Sequence, residues 1–463
     1  MSFRHVKSIL LAFSGAAALL GATLDANAGG LEVREQSAYG QGSSYAGVAA
    51  GGSLSSMFWN PATLTQMPGL NSESSLTGII PYTANTATGG TLAPLGSSGN
   101  VAHSALVPSS YYSWQFNQKL WLGLSVNAPF GLSETLPDSW AGRIFAAGGE
   151  SLETYNFTPT AAYKINDLLS VGLGMQIQYA TAAFTQGLPG IPVGFGGPGG
   201  PGLTQQAGLS GAGYGFGFTA GVTLTPTPLT SIGLGYRSGI NQKINGTLVL
   251  PPGGAVPPAA LFSPPFSTPG SVNTMFKIPD IVSLGVRQKL TSQWTVMGTV
   301  EWTNWSRAGT SPVLQPNGAP ALVVGTASVI PFQYKDGWFF SAGAEYQWDP
   351  KLALRAGVGY EISPVTDTVR GPAIPDANRT WLSVGASYKY NAKMSFDFAY
   401  SHVFVKTAPI NISDPSNPFF AIGGGTTYTG SVDSRIDIIS VAMKYRWDDP
   451  APEPVKQRYA KAR

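Results

Sequence analysis

From Leu169 to Tyr179 every odd position is apolar or aromatic and every even one is small or polar. A strand sends successive side chains to opposite faces, so this segment has one greasy face and one wet face. The same two-residue beat returns over Leu352–Tyr360, Leu382–Tyr388 and Met394–Tyr400. Such patterns predict half-buried strands and say nothing yet about which face meets solvent. Six short polar turns separate strand pairs: 117–119, 166–168, 226–228, 290–292, 349–351 and 391–393. Between them lie long Gly-, Pro- and Ser-rich connections at about 83–100, 131–151, 186–211, 251–271, 306–332, 363–378 and 407–430. Six turns and seven loops join fourteen strands; loops rich in glycine and proline can disguise twelve or sixteen. Short turns on one side and long loops on the other are the mark of an outer-membrane barrel, which has an even strand count.

Charge decides the direction of the greasy face. Only 11% of the 463 residues are charged, less than half the usual share of about 25%. A soluble chain of this length needs a charged exterior, and this one cannot supply it. The strand charges Arg237, Arg287, Glu301, Glu345, Arg355, Lys389, Asp397, Lys444 and Arg446 share parity with the polar face, which places them in a lumen. Aromatics cluster beside the short turns: Trp114, Phe116, Trp121, Tyr163, Trp294, Tyr346, Trp348, Tyr388 and Tyr390. They are expected to form the periplasmic girdle, at headgroup level.

The N-terminus supports export. Arg4, His5 and Lys7 precede an apolar run from Ile9 to about Leu24, followed by the small-x-small stretch Ala26–Ala28, the pattern of a signal peptide over residues 1–28. A membrane anchor is the competing reading; the run is short and rich in glycine and alanine. No later stretch approaches the roughly 18 apolar residues of a membrane-crossing helix. Removing Arg4, Lys7 and Asp25 leaves the mature chain one charge less positive than the full sequence at +3, which gives no case for nucleic acid. There is no cysteine, so disulfides and thiolate chemistry are excluded.

Residues 29–69 fit neither strand nor ordinary loop, and their apolar members Leu54, Met57, Phe58, Trp59 and Leu64 suit an ordered plug in the lumen. The barrel is expected over 70–447, with a disordered periplasmic tail over 448–463. The last strand, Ser440–Trp447, resembles the C-terminal signal read by the barrel assembly machinery, with Ala442 where glycine is usual.

Enzyme motifs are missing. There is no Gly-x-Ser-x-Gly elbow and no His-Glu-x-x-His helix. His103 and His402 are the histidines outside the leader, too few for a histidine-rich metal site. His402 offers a hydrolase dyad only against the plainer reading of a polar strand end. The alternating glycines of Gly211–Gly217 read as a small-residue wall rather than a phosphate loop. No cofactor or metal is expected.

Several stretches together carry a resemblance: Asn60–Ala62; Asn127–Leu132 and Pro137–Arg143; Thr303–Ser306 and Tyr334–Asp336; Ser363–Val365, Ile374–Arg379 and Trp381–Ser383. They resemble, in order, the FadL-type outer-membrane transporters of long-chain fatty acids and aromatic hydrocarbons. The resemblance implies a fourteen-stranded barrel plugged by an N-terminal hatch, and passive, ligand-gated uptake without ATP. It also implies capture among the extracellular loops, an internal pocket, hatch rearrangement and lateral exit at a kinked strand. Asn60, Pro61 and Ala62 are its hatch motif, and Pro129, which cannot donate a ladder hydrogen bond, marks the kink. Where the family often has a small-Gly-Phe start, this chain has Gly29-Gly30-Leu31, so Leu31 takes the pocket position without an aromatic ring.

Candidate ligand residues are Leu31, Arg237, Lys335 and Arg355, with Phe262 and Phe266 as loop capture sites. The expected partners are a hydrophobic small molecule, outer-membrane lipid with lipopolysaccharide, and the assembly machinery, around a monomer. A general diffusion porin is the alternative, and a lipid hydrolase or an energy-coupled receptor of about twenty-two strands fits less well.

Overall fold

The computed structural model describes residues 31–91, 96–137, 140, 150–187, 206–249, 270–318, 329–372, 374–422 and 427–449. The proposed leader, the tail beyond 449 and both capture phenylalanines, Phe262 and Phe266, lie outside the described residues.

Fourteen antiparallel strands close into a barrel. In chain order they are β1 (Leu70–Gly90), β2 (Ala105–Gln115), β3 (Leu120–Asn127, continued by Gly131–Glu134), β4 (Glu150–Lys164) and β5 (Leu169–Gly187). Next come β6 (Gln206–Thr227), β7 (Thr230–Arg237, continued by Ile240–Val249), β8 (Gly270–Ile278, continued by Ile281–Lys289) and β9 (Trp294–Thr303). The last are β10 (Gly337–Gln347), β11 (Leu352–Ile362), β12 (Arg379–Lys389), β13 (Met394–Val405) and β14 (Tyr428–Arg446). Pairing of β14 with β1, from Asn71 opposite Arg446 to Gly90 opposite Tyr428, closes the ring. Full closure removes the sheet edges that lipid could not satisfy. Five of the six short turns fall where the polar triplets stand. Only the third slides, because β6 runs on through Thr227.

The barrel is inside out. Along β5, Leu173 and Met175 are 60% and 50% exposed, whereas Gln176 and Gln178 are 2% and 0%. Val384, Phe398 and Ile439 point outward in the same way, and Ser383 and Asp397 inward. That inversion is stable only in a solvent that accepts apolar side chains, which is lipid. The girdle holds with one correction. Trp121 is buried and faces inward, because β3 turns Leu122 outward; its indole Nε1–H donates to the Met67 carbonyl oxygen at 2.9 Å.

The lumen is filled by residues 31–69. They fold into one turn of α-helix at Ala38–Gln41 and 3-10 turns at Val48–Ala50, Leu54–Phe58 and Pro61–Gln66. Asn60 caps the last turn, its side-chain oxygen accepting from the Ala62 amide at 3.0 Å, with Pro61 at the first position where no amide is needed. The wall makes room with inward-facing glycines. A Cβ at Gly233 would lie 1.8 Å from the Ala49 carbonyl oxygen, and one at Gly235 the same distance from that of Trp59. Gly172 receives Pro61 and Ala62, and Gly357 receives Ser43. Inward glycines of β5, β7 and β11 are the seat of the plug, whereas those of Gly211–Gly217 on β6 meet the neighbouring strands.

Candidate functional site

The site is the place where the plug meets an interruption of the wall. From Ser110 to Gln115, β2 pairs with β3, and the last rung joins Ser110 to Val126. Above it β2 continues to pair with β1 as far as Ala105, but no longer with β3. On its other side β3 sets Asn127 opposite Asn156 and then Gly131 opposite Glu153. Four steps along β3 thus match three along β4, which is a one-residue bulge over 128–130. Pro129 sits in it, without an amide to offer. Contact between the two chain segments resumes higher up, where the Thr135 amide donates to the Val101 oxygen at 3.0 Å and Ala102 bridges Glu134. The result is a window in the wall.

Plug residues fill it. The Val33 amide donates to the Pro129 oxygen at 2.8 Å, and the Gly131 amide to the Leu31 oxygen at 2.9 Å. Gln36 is fully buried and makes the closure. Its carbonyl oxygen accepts from the hydroxyls of Ser109 and Tyr111 at 3.1 and 2.6 Å. Its side-chain oxygen accepts from Asn127 and the Ala128 amide, and its side-chain amide donates to the Ala128 oxygen at 2.8 Å. Polar groups of the open strand edge, which lipid would leave unpaired, are satisfied by the plug.

Behind the window lies an apolar cluster. Leu31, Phe130, Leu132, Leu152, Ile240, Phe276, Trp305, Phe332 and Tyr334 are buried in one cluster. A chain of ring contacts runs from Phe130 to Trp305 (6.1 Å), Tyr334 (6.0 Å), Phe332 (5.5 Å), Phe276 (5.9 Å) and Phe184 (5.6 Å). Leu31 is buried in this cluster beside aromatic rings from the strands and loops of the barrel.

Charges border this cluster. Arg34 pairs with Glu301 and, at 3.6 Å, with Glu32, and its guanidinium covers the Phe339 ring at 4.0 Å. Glu35 is buried with one carboxylate oxygen unpartnered among the described residues. Burial pushes its carboxyl up to about 7, against the pull of Arg34 and Arg379.

The candidate cations divide. Arg237 is buried and donates to the Phe58 carbonyl oxygen at 3.0 Å while lying over the Phe58 ring at 4.1 Å. Arg355 has a fully buried side chain, ion-paired with Glu345 at 3.1 Å and Asp397 at 3.4 Å, beneath the plug's Tyr39 ring at 4.1 Å. Both face the lumen as parity requires, but both clamp the plug. Lys335 is exposed above β10, its amide donating to the Pro364 oxygen at 3.0 Å. Asn60 ties the plug to itself through the Ala49 oxygen at 2.7 Å and to the wall through the Val222 oxygen at 3.0 Å, and Pro61 and Ala62 are buried beside it. Gln36, Arg34 and Tyr39 were not singled out by the sequence. For Arg34 and Gln36 the one signal is the charged run Glu32–Gln36 inside a stretch of small residues. His402 binds Asp437 through Nδ1 at 2.7 Å on the outer face, and no serine hydroxyl bonds to it among the described residues.

A closed barrel with a lipid-facing apolar surface and a folded plug is an outer-membrane transport barrel. The chain belongs to the outer membrane protein transport protein family (OMPP1/FadL/TodX), whose sequence model matches residues 19–447. It is 29% identical over 423 residues to outer membrane protein P1 of Haemophilus influenzae, spanning 84% of this chain and 88% of that one. To the long-chain fatty acid transport protein of Escherichia coli K12 it is 25% identical, over 82% and 89% of the two chains. Its fold is similar to the crystal structure of a Pseudomonas aeruginosa FadL homologue, with a TM-score of 0.78 at 24% identity over 90% of this chain and all of that one. The Pseudomonas putida toluene transporter TodX follows with 0.62 at 16% identity, over 91% and 100%.

Proposed function

We propose that the protein imports long-chain fatty acids or related hydrophobic compounds across the outer membrane by passive, ligand-gated diffusion. The observation that carries this reading is the window between β2 and β3, held shut by Gln36 and backed by the apolar cluster of Leu31, Phe130 and Trp305. A hydrophobic molecule entering from the extracellular loops meets a lining in which each buried methylene contributes about 0.8 kcal/mol. Binding beside Leu31 competes with the seating of residues 31–36, so the segment that closes the window is the one the ligand displaces. Release through the window delivers the molecule to lipid without crossing the plug. Names of the relatives support both fatty acids and aromatic hydrocarbons. The all-aliphatic start at Leu31 favours a flexible acyl chain, which needs no ring face. Phe262 and Phe266 belong to the capture loops in this scheme, and Lys335, at the extracellular side, to headgroup guidance.

The test is uptake of radiolabelled oleate by cells lacking their own fatty-acid transporter, set beside ion conductance of the purified protein in planar bilayers. Uptake with little conductance is expected. A large steady ion current would identify a diffusion porin and overturn the proposal.

A further inference from the structure

Beneath the plug, at the periplasmic mouth, is a cavity of about 510 Å³, separate from the window. Its roof is plug: Tyr39, Ser53, Leu54 and Met67. Its rim is the turns 349–351 and 391–393, which places it on the periplasmic side. Among its lining side chains, Arg287, Lys351, Lys389, Lys393, Lys444 and Arg446 are basic, whereas Glu345 alone is acidic. Four of these cations already have carboxylates. Arg287 has Glu345 at 3.8 Å, Lys444 has Asp397 at 2.7 Å, Lys393 has Asp449 at 2.6 Å and Arg446 has Asp448 at 2.9 Å. Lys351 and Lys389 have no carboxylate partner among the described residues, and they are neighbours, the Lys389 amide donating to the Lys351 oxygen at 2.8 Å.

The same cavity presents Leu54, Met67, Ala353 and Met394 beside those lysines. A free phosphate would use the cations and leave this apolar surface in water. An acidic protein surface would be too broad for a recess of this size, which falls in the range of small-molecule sites. A headgroup of one negative charge carried on a hydrocarbon chain uses both.

We propose that this periplasmic vestibule is a binding site for carboxylate-headed amphiphiles, with Lys351 and Lys389 receiving the carboxylate and Leu54, Met67 and Met394 the chain. It rests on the transport reading above and adds to it a periplasmic station for anionic substrate, distinct from the lateral window. An uncharged hydrocarbon would gain little there.

The experiment uses the full chain in phosphatidylcholine nanodiscs and a palmitic acid carrying a photoactivatable diazirine, compared with the corresponding primary alcohol. Labelled peptides are mapped by mass spectrometry. The acid is expected to label peptides containing Leu54–Met67 and Met394 about fivefold more than the alcohol, in proportion to a pair of exposed charges. That excess should fall at high salt and vanish in the Lys351→Gln/Lys389→Gln variant, whose cluster labelling near Leu31 and Phe130 stays intact and reports a folded barrel. Cluster labelling without vestibule labelling, equal labelling by acid and alcohol, or an excess that survives the double substitution would overturn the inference alone. Absence of labelling at both places would instead count against the transport reading on which it rests.

Discussion

Gly233 shows how much of the plug is decided by single residues. No side chain fits between β7 and Ala49, whose carbonyl oxygen is backbone and cannot swing aside. Gly233→Ala is therefore expected to unseat Val48–Ala50, seen as faster amide exchange there, at the cost of about 1–3 kcal/mol typical of overpacking. Gly298→Ala, on the outer face with its nearest contact at 3.7 Å, should leave exchange unchanged and serves as control. Glu35 makes a pH prediction. Its carboxyl is held neutral up to about 7 when seated and returns to its ordinary value near 4.5 when the segment is released into water. The seated state thus binds the extra proton, so seating is firmest below about pH 4.5 and weakens as the pH rises to about 7. Amide exchange of residues 31–50, corrected for intrinsic rates, should increase across that window, and Glu35→Gln should flatten the profile. An unchanged profile in the variant would remove Glu35 from this role.

Among the elements, the kinked β3 matters most. Its window depends on one surplus residue between Asn127 and Gly131. Deleting Ala128 restores equal steps along β3 and β4, lets the upper part of β2 find a partner, and closes the wall. Oleate uptake by the deletion variant should fall to background while the barrel still folds and inserts; undiminished uptake would show that exit does not use the window. The strands themselves were legible in the sequence, because alternation is a local property and lipid imposes it on the outer face. The kink was legible only through Pro129 and the family likeness. What the sequence could not give was the partner of each inward group. Arg237 and Arg355 have lumenal parity, yet the carbonyl oxygen, rings and carboxylates that occupy them come from residues 10 to 316 positions away. Trp121 escaped for a similar reason: a turn-proximal aromatic looks the same facing lipid or facing the plug.

At the scale of the molecule, a barrel with an outward apolar surface needs only alternation, and such a barrel alone is compatible with an open pore. The plug changes its meaning, since residues 31–69 occupy the lumen and also complete the wall at the window. Opening that window and moving the first plug residues are one event in this account. The cysteine-free chain permits a direct test. In Gln36→Cys/Asn127→Cys the two positions, whose side chains are joined in the native protein by a 3.2 Å hydrogen bond, are to be linked by oxidation, fixing the plug in the window. Oleate uptake measured in the same cells before oxidation, after it and after reduction should be present, abolished and restored. Equal uptake in all three states, with the disulfide shown to form, would contradict the account.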